Sequence, residues 1–394
     1  MQMTASAGVR DPGARSDCWV EVSQAPDLPQ HRVTSKVAAL YGDAIHALIG
    51  STLEALAAAD LSATVEDRGA LPFTLMARLE AAVRRLRPDT SRPALPPLNP
   101  AAQRVTQRDR LRRTRLYLPG NAPKFFINAG LHRPDAIILD LEDSVPPAEK
   151  DAAAILVRNA LRAVDFYGAE VTVRVNSLPA GLAEIAMLAP HGVQAFLLPK
   201  VEDPDEVIAA DRLLAEMAES GQAPETIYLI PIIETARGAL QAWPIASASP
   251  RVVALAIGLE DYTRDIGAQR TPEGRESLWA RSQVINAARA AGVQPISSVY
   301  SDVDDVAGLA AWAEAERKLG FDGVGCIHPR QVRVVHQVFT PSAAEVEQAR
   351  RIVDAFAVAQ ATGLGVVAVD GKMVDAPVVE RARRTLRLWE LSRP

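Results

Sequence analysis

Residues 135–176 read DAIILDLEDSVPPAEKDAAAILVRNALRAVDFYGAEVTVRVN, and this stretch decides the fold. A short apolar run, AIIL (136–139), leads through a proline-marked turn into DAAAILVRNALRAV, which is helical in character. A second apolar run, VTVRV (171–175), follows. Strand, helix, strand in that order describes a βαβ unit with parallel strands. Working outward, the same alternation continues. Further short runs are LYL (116–118), AFLL (195–198), IYLIPII (227–233), VVALAI (252–257), QPI (294–296) and GVGCI (323–327). Helical stretches such as DEVIAADRLLAEMAE and SLWARSQVINAARAAG separate most of them. Repeated about eight times, the pattern predicts a (β/α)8 TIM barrel over residues 111–340, with residues 341–394 as a helical extension. A doubly wound open sheet is the alternative. It would be expected to carry a glycine-rich phosphate-binding turn after its first strand, and none stands there.

Upstream, RPDTSRPALPPLNPAAQR (87–104) carries five prolines, at 88, 93, 96, 97 and 100, which deny it helix or ladder. It reads as a proline-rich linker, taken as 88–110. Residues 1–87 then form a small α+β module. CWVEV (18–22) and SATVED (62–67) are its strand candidates. Ile45, Leu48, Ile49, Leu53 and Leu56 mark one amphipathic helix, and Leu75, Leu79, Val83 and Leu86 mark another.

Composition narrows the function. The chain has 394 residues, 48% hydrophobic and 23% charged, so it can bury a large core and is not a disordered chain. A net charge of −5 argues against a nucleic-acid binder. Two cysteines, Cys18 and Cys326, make no disulfide framework and fit a reducing, cytoplasmic setting. No apolar run reaches the ~18 residues that suggest a membrane span, and MQMTASAGVRDPGARSD lacks the apolar stretch of a secretory signal.

In a (β/α)8 barrel the reacting groups sit where strands end. Here the strand ends carry Asp140 and LEDS, Arg174, Lys200, Glu234, GLED with Asp261, and His328. Any one of these is an ordinary solvated strand end, but their convergence on one rim points to a site. Glu234 and Asp261 come from consecutive strands, and two carboxylates with little histidine suit a hard cation such as Mg²⁺. The plain alternative pairs them with Arg237 or Arg264 nearby. Arg174, facing inward from VTVRVN, is placed to neutralise the acids or to clamp an anionic substrate.

The segment from 115 to 384 resembles the citrate lyase beta subunit within the aldolase/citrate-lyase beta superfamily. The resemblance lies in RLYLPGN (115–121), DAIILDLEDSV (135–145), VTVRVN (171–176), LPKVE (198–202), GLEDYTRD (258–265), IHPRQ and GKMVDAPVVERAR. The N-terminal module resembles the citrate lyase acyl-carrier (gamma) chain through LYGDAI (40–45) and VEDRGALPFTLMARLEAAVRRL (65–86). Together they imply a TIM barrel with a C-terminal lid, preceded by a small acyl-carrier-like domain. The implied reaction is Mg²⁺-dependent cleavage of a citryl thioester into oxaloacetate and an acetyl thioester. A stand-alone lyase acting on free citramalyl-CoA or malyl-CoA is the alternative.

The resemblance assigns Glu234 and Asp261 as metal ligands, Arg174 as the substrate-carboxylate arginine, and Glu142 and Asp143 as pocket residues. Asp375 becomes the acid/base of a lid that serves a neighbouring subunit, and a helix N-cap is its structural alternative. A homo-oligomer and a separate acyl-transferase (alpha) subunit follow as expected partners. The sequence departs from the family in three places. Arg15 stands at the strict prosthetic-group position, leaving Ser16 as the nearby hydroxyl for a CoA-derived arm. Ser297 replaces a usual aspartate, so a change in pocket polarity is expected, and Ala122 stands where free-CoA enzymes often carry an arginine.

Overall fold

The computed structural model describes residues 3–24, 30–102 and 105–392. The rest of the predicted module, linker and extension lies outside them. The N-terminal module is a four-stranded sheet of β1 (Thr4–Gly8), β2 (Cys18–Gln24), β3 (His31–Ser35) and β4 (Leu61–Asp67), in spatial order β1-β2-β4-β3. Only β3 and β4 are parallel, and α1 (Ala38–Ala55) makes that crossover. In β4 the pattern LSATVED alternates buried and half-buried residues, so one face packs on helices while the other meets solvent. The second helix, α2 (Pro72–Leu86), starts with proline in its first turn, where the missing N–H costs nothing. Phe73 through Val83 are all buried along it, polar residues included. An amphipathic helix with one partner would not bury its whole circumference. The reason is that α2 lies between its own sheet and the barrel helix α3 (Lys150–Ala163).

Eight parallel strands close the barrel: β5 (Thr114–Pro119), β6 (Ala136–Asp140), β7 (Glu170–Arg174), β8 (Ala195–Leu198), β9 (Tyr228–Ile233), β10 (Ala254–Ile257), β11 (Gln294–Val299) and β12 (Gly323–Cys326). After α3, the outer ring comprises α4 (Gly181–Leu188), α5 (Pro204–Glu219), α6 (Ala236–Leu240), α7 (Ala242–Ser247), α8 (Leu259–Asp265), α9 (Leu278–Ala290), α10 (Val306–Leu319) and α11 (Pro329–Phe339). The predicted runs thus fall on the eight strands, and the open sheet is excluded by the β12–β5 pairing that shuts the ring. Along each strand alternate residues divide between two cores. Ile138, Leu197, Ile230, Ile232, Ala254 and Ile296 fill the interior, while Ile137, Leu139, Val173, Phe196 and Leu255 pack outward on helices. Below them, Arg112 forks onto Glu170 at 2.7 and 2.8 Å, both fully buried, at the start of β7. Among the described residues, no helix is long and apolar enough to cross a membrane.

The proline-rich stretch is extended, but it is strapped down rather than loose. Ala94 is buried; its N–H donates to Glu80 and its carbonyl accepts from Arg158. Arg162 donates to the Pro96 carbonyl, and the Asn99 N–H returns to the Arg162 carbonyl at 2.8 Å. Beneath the strap, Glu80 of α2 takes both arms of Arg158 of α3, at 2.9 and 2.7 Å, with both side chains buried. Arg85 adds hydrogen bonds to Asp151 and to the Ala148 carbonyl. The stretch read as an extended proline-rich linker is extended, and it lies against a packed, charge-paired interface between module and barrel.

Beyond the barrel, α12 (Ala343–Ala361), a hairpin of β13 (Val367–Val369) and β14 (Lys372–Val374), and α13 (Ala376–Leu391) form the extension. Phe356, Val369, Val374 and Val379 give it a small core of its own. Arg384 and Arg387 of α13 reach Asp322 and Asp109, fixing its far end to the base of the barrel.

Glu80→Gln would leave Arg158 buried beside a neutral amide. Breaking a buried pair by removing one charge costs about 3–5 kcal/mol. Urea unfolding of Glu80→Gln is expected to show a loss of that size, with faster proteolysis in residues 87–102.

Candidate active site

The strand alternation that fills the barrel also selects what lines its mouth. Asp140 follows Ile138 on the inward-facing positions, Arg174 follows Thr172, Glu234 follows Ile232, and Ser298 follows Ile296. Each is the polar residue that closes the inward-facing positions of its strand. Together with Tyr117, Pro119, Asp143, Gly258 and Asp261 they line a cavity of about 420 Å³ at the C-terminal ends of the strands.

Arg174 is its fixed point. Its Nε and Nη2 fork onto the two oxygens of Asp140 on the adjacent strand, at 2.7 and 2.8 Å. A third nitrogen, Nη1, lies 2.9 Å from Glu142 Oε2. Burial pushes the Asp140 carboxyl up, yet the hydrogen bonds and charge of Arg174 outweigh it and hold it below the usual carboxylate range. Burial likewise opposes the charge of Arg174, and Asp140 more than restores it. A guanidinium has five N–H donors. Asp140 engages two of them and Glu142 lies at ion-pair distance from a third nitrogen, so donors on Nη1 and Nη2 remain for an anion. Glu142 also meets Lys200, whose ammonium lies 3.2 Å from Asp143 and 4.0 Å from Asp261. Lys200 has φ +53°, a left-handed backbone that costs a non-glycine residue of order 1 kcal/mol or more.

Glu234 is nearly fully buried, and its Oε2 has no hydrogen-bond partner. Burial raises its pKa to about 8, with Asp261 and Glu142 adding to the rise and Arg174 opposing it. A buried carboxylate oxygen without a donor among the described residues, beside two further carboxylates, suits a cation. Among the described residues, no cluster of three or more histidines, cysteines or carboxylates could hold a metal alone. A hard ion that keeps waters and substrate oxygens fits a two-carboxylate site of this kind. Asp261 lies in the first turn of α8, three residues past Gly258, and not on a strand end as its spacing suggested. The plain alternative holds for Asp261, paired with Arg264 at 2.6 Å, but not for Glu234, since Arg237 turns to Asp203. Gly258 leaves the room that Glu234 occupies: a Cβ there would stand 2.6 Å from its Oε1.

The remaining predicted residues lie elsewhere. Asp375 caps α13, accepting from the Val378 N–H at 3.3 Å, and is not among the residues lining its own cavity. Ser16 sits half-buried in a left-handed turn just before β2, with Arg15 exposed beside it. That turn abuts the barrel rim. Asp17 takes both arms of Arg78, and Arg78 also donates to the carbonyl of Asn121, two residues past Pro119, at 2.7 Å. Ser297 faces outward, because its parity on β11 is opposite to that of Ser298. It donates to buried Glu316 at 2.5 Å, so the expected change in pocket polarity does not arise at its side chain. Sequence reading missed the roles of Asp140 and Lys200. Both are visible as strand-end residues, Asp140 in the LD that ends β6 and Lys200 in LPKVE, but no local pattern gives either its partner.

An eight-stranded parallel barrel with an arginine and buried carboxylates gathered at one mouth is the architecture of a TIM-barrel enzyme. Residues 113–329 match the family model described as HpcH/HpaI aldolase/citrate lyase, and the chain belongs to this family of carbon–carbon lyases. Residues 3–86 match the model described as malonate decarboxylase delta subunit, an acyl carrier protein, so the N-terminal module is of acyl-carrier type. The citrate lyase subunit beta of Haemophilus influenzae is 39% identical over 280 residues, spanning 70% of this chain and 96% of that protein. The mitochondrial citramalyl-CoA lyase of Homo sapiens is 33% identical over 290 residues, 70% of this chain and 85% of that protein. A crystal structure of the CitE protein of Mycobacterium tuberculosis, in complex with magnesium, acetoacetate and coenzyme A, superposes with a TM-score of 0.60. It is 32% identical and covers 72% of this chain and 100% of that one.

Gly258→Ala should displace the Glu234 carboxylate without touching the backbone, since Gly258 has φ −109°. Calorimetric titration with Mg²⁺ is expected to show binding at least tenfold weaker than in the parent, with an unchanged circular dichroism spectrum.

Proposed function

We propose that this barrel cleaves a citryl thioester into oxaloacetate and an acetyl thioester, with Mg²⁺ held by Glu234 and Asp261. The observation that carries the reading is the partnerless, nearly fully buried Glu234 oxygen, in one cavity with Asp261 and the half-engaged fork of Arg174. Bound there, the ion supplies Lewis acidity toward the substrate oxygen that becomes the keto group. Arg174, oriented by Asp140, holds a substrate carboxylate through its remaining donors. Glu142 and Asp143, both paired with Lys200, provide acceptors for water at the rim. In the reaction the hydroxyl proton passes to water held at the rim by Glu142 and Asp143 as the bond from its carbon to the acetyl CH₂ breaks. The electron pair passes to the acetyl enolate, whose carbon takes up a proton.

That proton is assigned to Asp375. Because Asp375 lies outside its own cavity, the assignment requires the extension of a neighbouring subunit, hence a homo-oligomer with shared sites. Ser16 is the attachment position read for a CoA-derived arm, which would serve a separate acyl-transferase subunit. A free citramalyl-CoA or malyl-CoA thioester is the second reading. Arg15 at the carrier position and the clamped module favour it. The intact mass of protein from its native host separates the two, since an attached nucleotide-linked arm adds several hundred daltons.

Glu234→Ala and Asp261→Ala are each expected to abolish thioester cleavage with the fold intact. Full activity in either, or activity of the parent in a chelator, overturns the metal assignment. Arg174→Lys should weaken oxaloacetate binding by about 1.5–3 kcal/mol, the size of a hydrogen bond to a charged group.

Asp375→Asn keeps the helix cap but removes the titrating proton, and should cut turnover by about 10²–10⁴. Mixing it with inactive Glu234→Ala protein should restore part of the activity through hybrid sites. Absence of rescue, with subunit exchange shown by mass, would place the lid over its own barrel.

A further inference from the structure

Arg115 is the second residue of β5 and points into the barrel, as do Tyr117 and Pro119 on the same strand. It is fully buried, and its side chain is among the largest buried anywhere in the protein. The other buried arginines each have a carboxylate: Arg78 has Asp17, Arg112 has Glu170, Arg158 has Glu80 and Arg281 has Glu316. Arg115 has none. Its Nη2 donates to the Ser297 carbonyl at 3.1 Å, while Nε and Nη1 are buried without any partner. The Ser297 carbonyl is available because the β11–β12 register slips between Ile296 and Val299, a bulge that frees one ladder position. Gly323 and Gly325 carry no side chains on the neighbouring strand. A Cβ on Gly325 would stand 2.6 Å from Val299 and 3.2 Å from the Tyr117 ring, so that space is filled by side chains of β11 and β5. Burial pulls the pKa of Arg115 down from the usual arginine value, the reverse of what Asp140 does for Arg174. An unpaired buried guanidinium is costly unless something anionic meets it.

Arg115 also lines the cavity that holds Arg174, Glu234 and Asp261. We infer that Arg115 is a specificity-determining residue that receives a second substrate carboxylate, so that the site prefers oxo-dicarboxylates to oxo-monocarboxylates. This rests on the lyase reading of the cavity and deepens it. A citryl thioester leaves oxaloacetate, which carries a carboxylate at each end. A citramalyl thioester leaves pyruvate, which has a methyl group where oxaloacetate has CH₂COO⁻. With Arg174 holding one carboxylate, Arg115 gives the cavity a second cationic anchor, and only the dicarboxylate uses both.

The test compares oxaloacetate with pyruvate by calorimetry on the full chain in Mg²⁺. The parent should bind oxaloacetate at least tenfold more tightly. Arg115→Met, which keeps an unbranched apolar stem but removes the charged head, should lose about tenfold or more in oxaloacetate affinity and keep pyruvate affinity within about twofold, as expected for a charged hydrogen bond. Arg115→Lys should fall between the two. Pyruvate binding and melting temperature report whether each variant is folded. If Arg115→Met does not fold, the parent's preference and its partial loss in Arg115→Lys decide the matter. Equal affinity of the parent for both oxo acids, or equal loss of both in the variants, overturns the inference. Failure of the parent to cleave citryl, citramalyl and malyl thioesters would instead overturn the lyase reading, while the binding ratio still judges Arg115.

Discussion

The fork of Arg174 on Asp140 is the constraint on which the mouth of the barrel depends. The two residues end adjacent strands, so the pair forms only when β6 and β7 are in register and the barrel is closed enough to bury it. Once formed, it turns the remaining edge of the guanidinium toward Glu142 and the cavity. Glu142 in turn fixes Lys200, and Lys200 reaches both Asp143 and Asp261. A chain of alternating charges therefore runs from the strand ends into the loops, with Glu234 as the acid it leaves without a donor. A cation with donors to spare, Arg174, and an acid with an unpartnered oxygen, Glu234, make the cavity a place for an added anion and an added cation together.

Much of this was legible in the sequence, for a physical reason. Parallel strands buried on both faces read as short apolar runs, and all eight stand out between helical segments. The polar residue that closes each run is then placed at the mouth by strand geometry alone. What the sequence hid is contact across strands and parity within them. Asp140 was visible as a strand end, but its fork with Arg174 joins residues 34 positions apart. Ser297 drew attention as a departure from the family, and one position of parity turns it toward Glu316 instead of the cavity. In the module, β1 and β3 escaped notice. TASAG is made of small residues without an apolar series, and HRVTS shows only one strongly apolar side chain.

The module's interface was hidden for a different reason. A run of prolines states what the backbone will not do, but not whether it lies against anything. The anchors are the buried pair Glu80–Arg158 and the carbonyls of Ala94 and Pro96, none of which has a local pattern. The full burial of α2 is the trace of that docking, since its polar residues Thr74, Arg78 and Glu80 are buried along with its apolar ones.

A carrier joined by a loose string samples a volume, and its encounters depend on the length of the string. A carrier bolted to the barrel samples nothing by itself. Its turn at Ser16 and Asp17 keeps a constant address on the rim, set by Arg78 and the carbonyl of Asn121. Any arm mounted there pivots about one point, so its own length sets its reach. The ratio of carriers to mouths is locked at one to one. Were a second enzyme to share such an arm, it would have to come within the arm's radius, and access would be a question of geometry and not of diffusion.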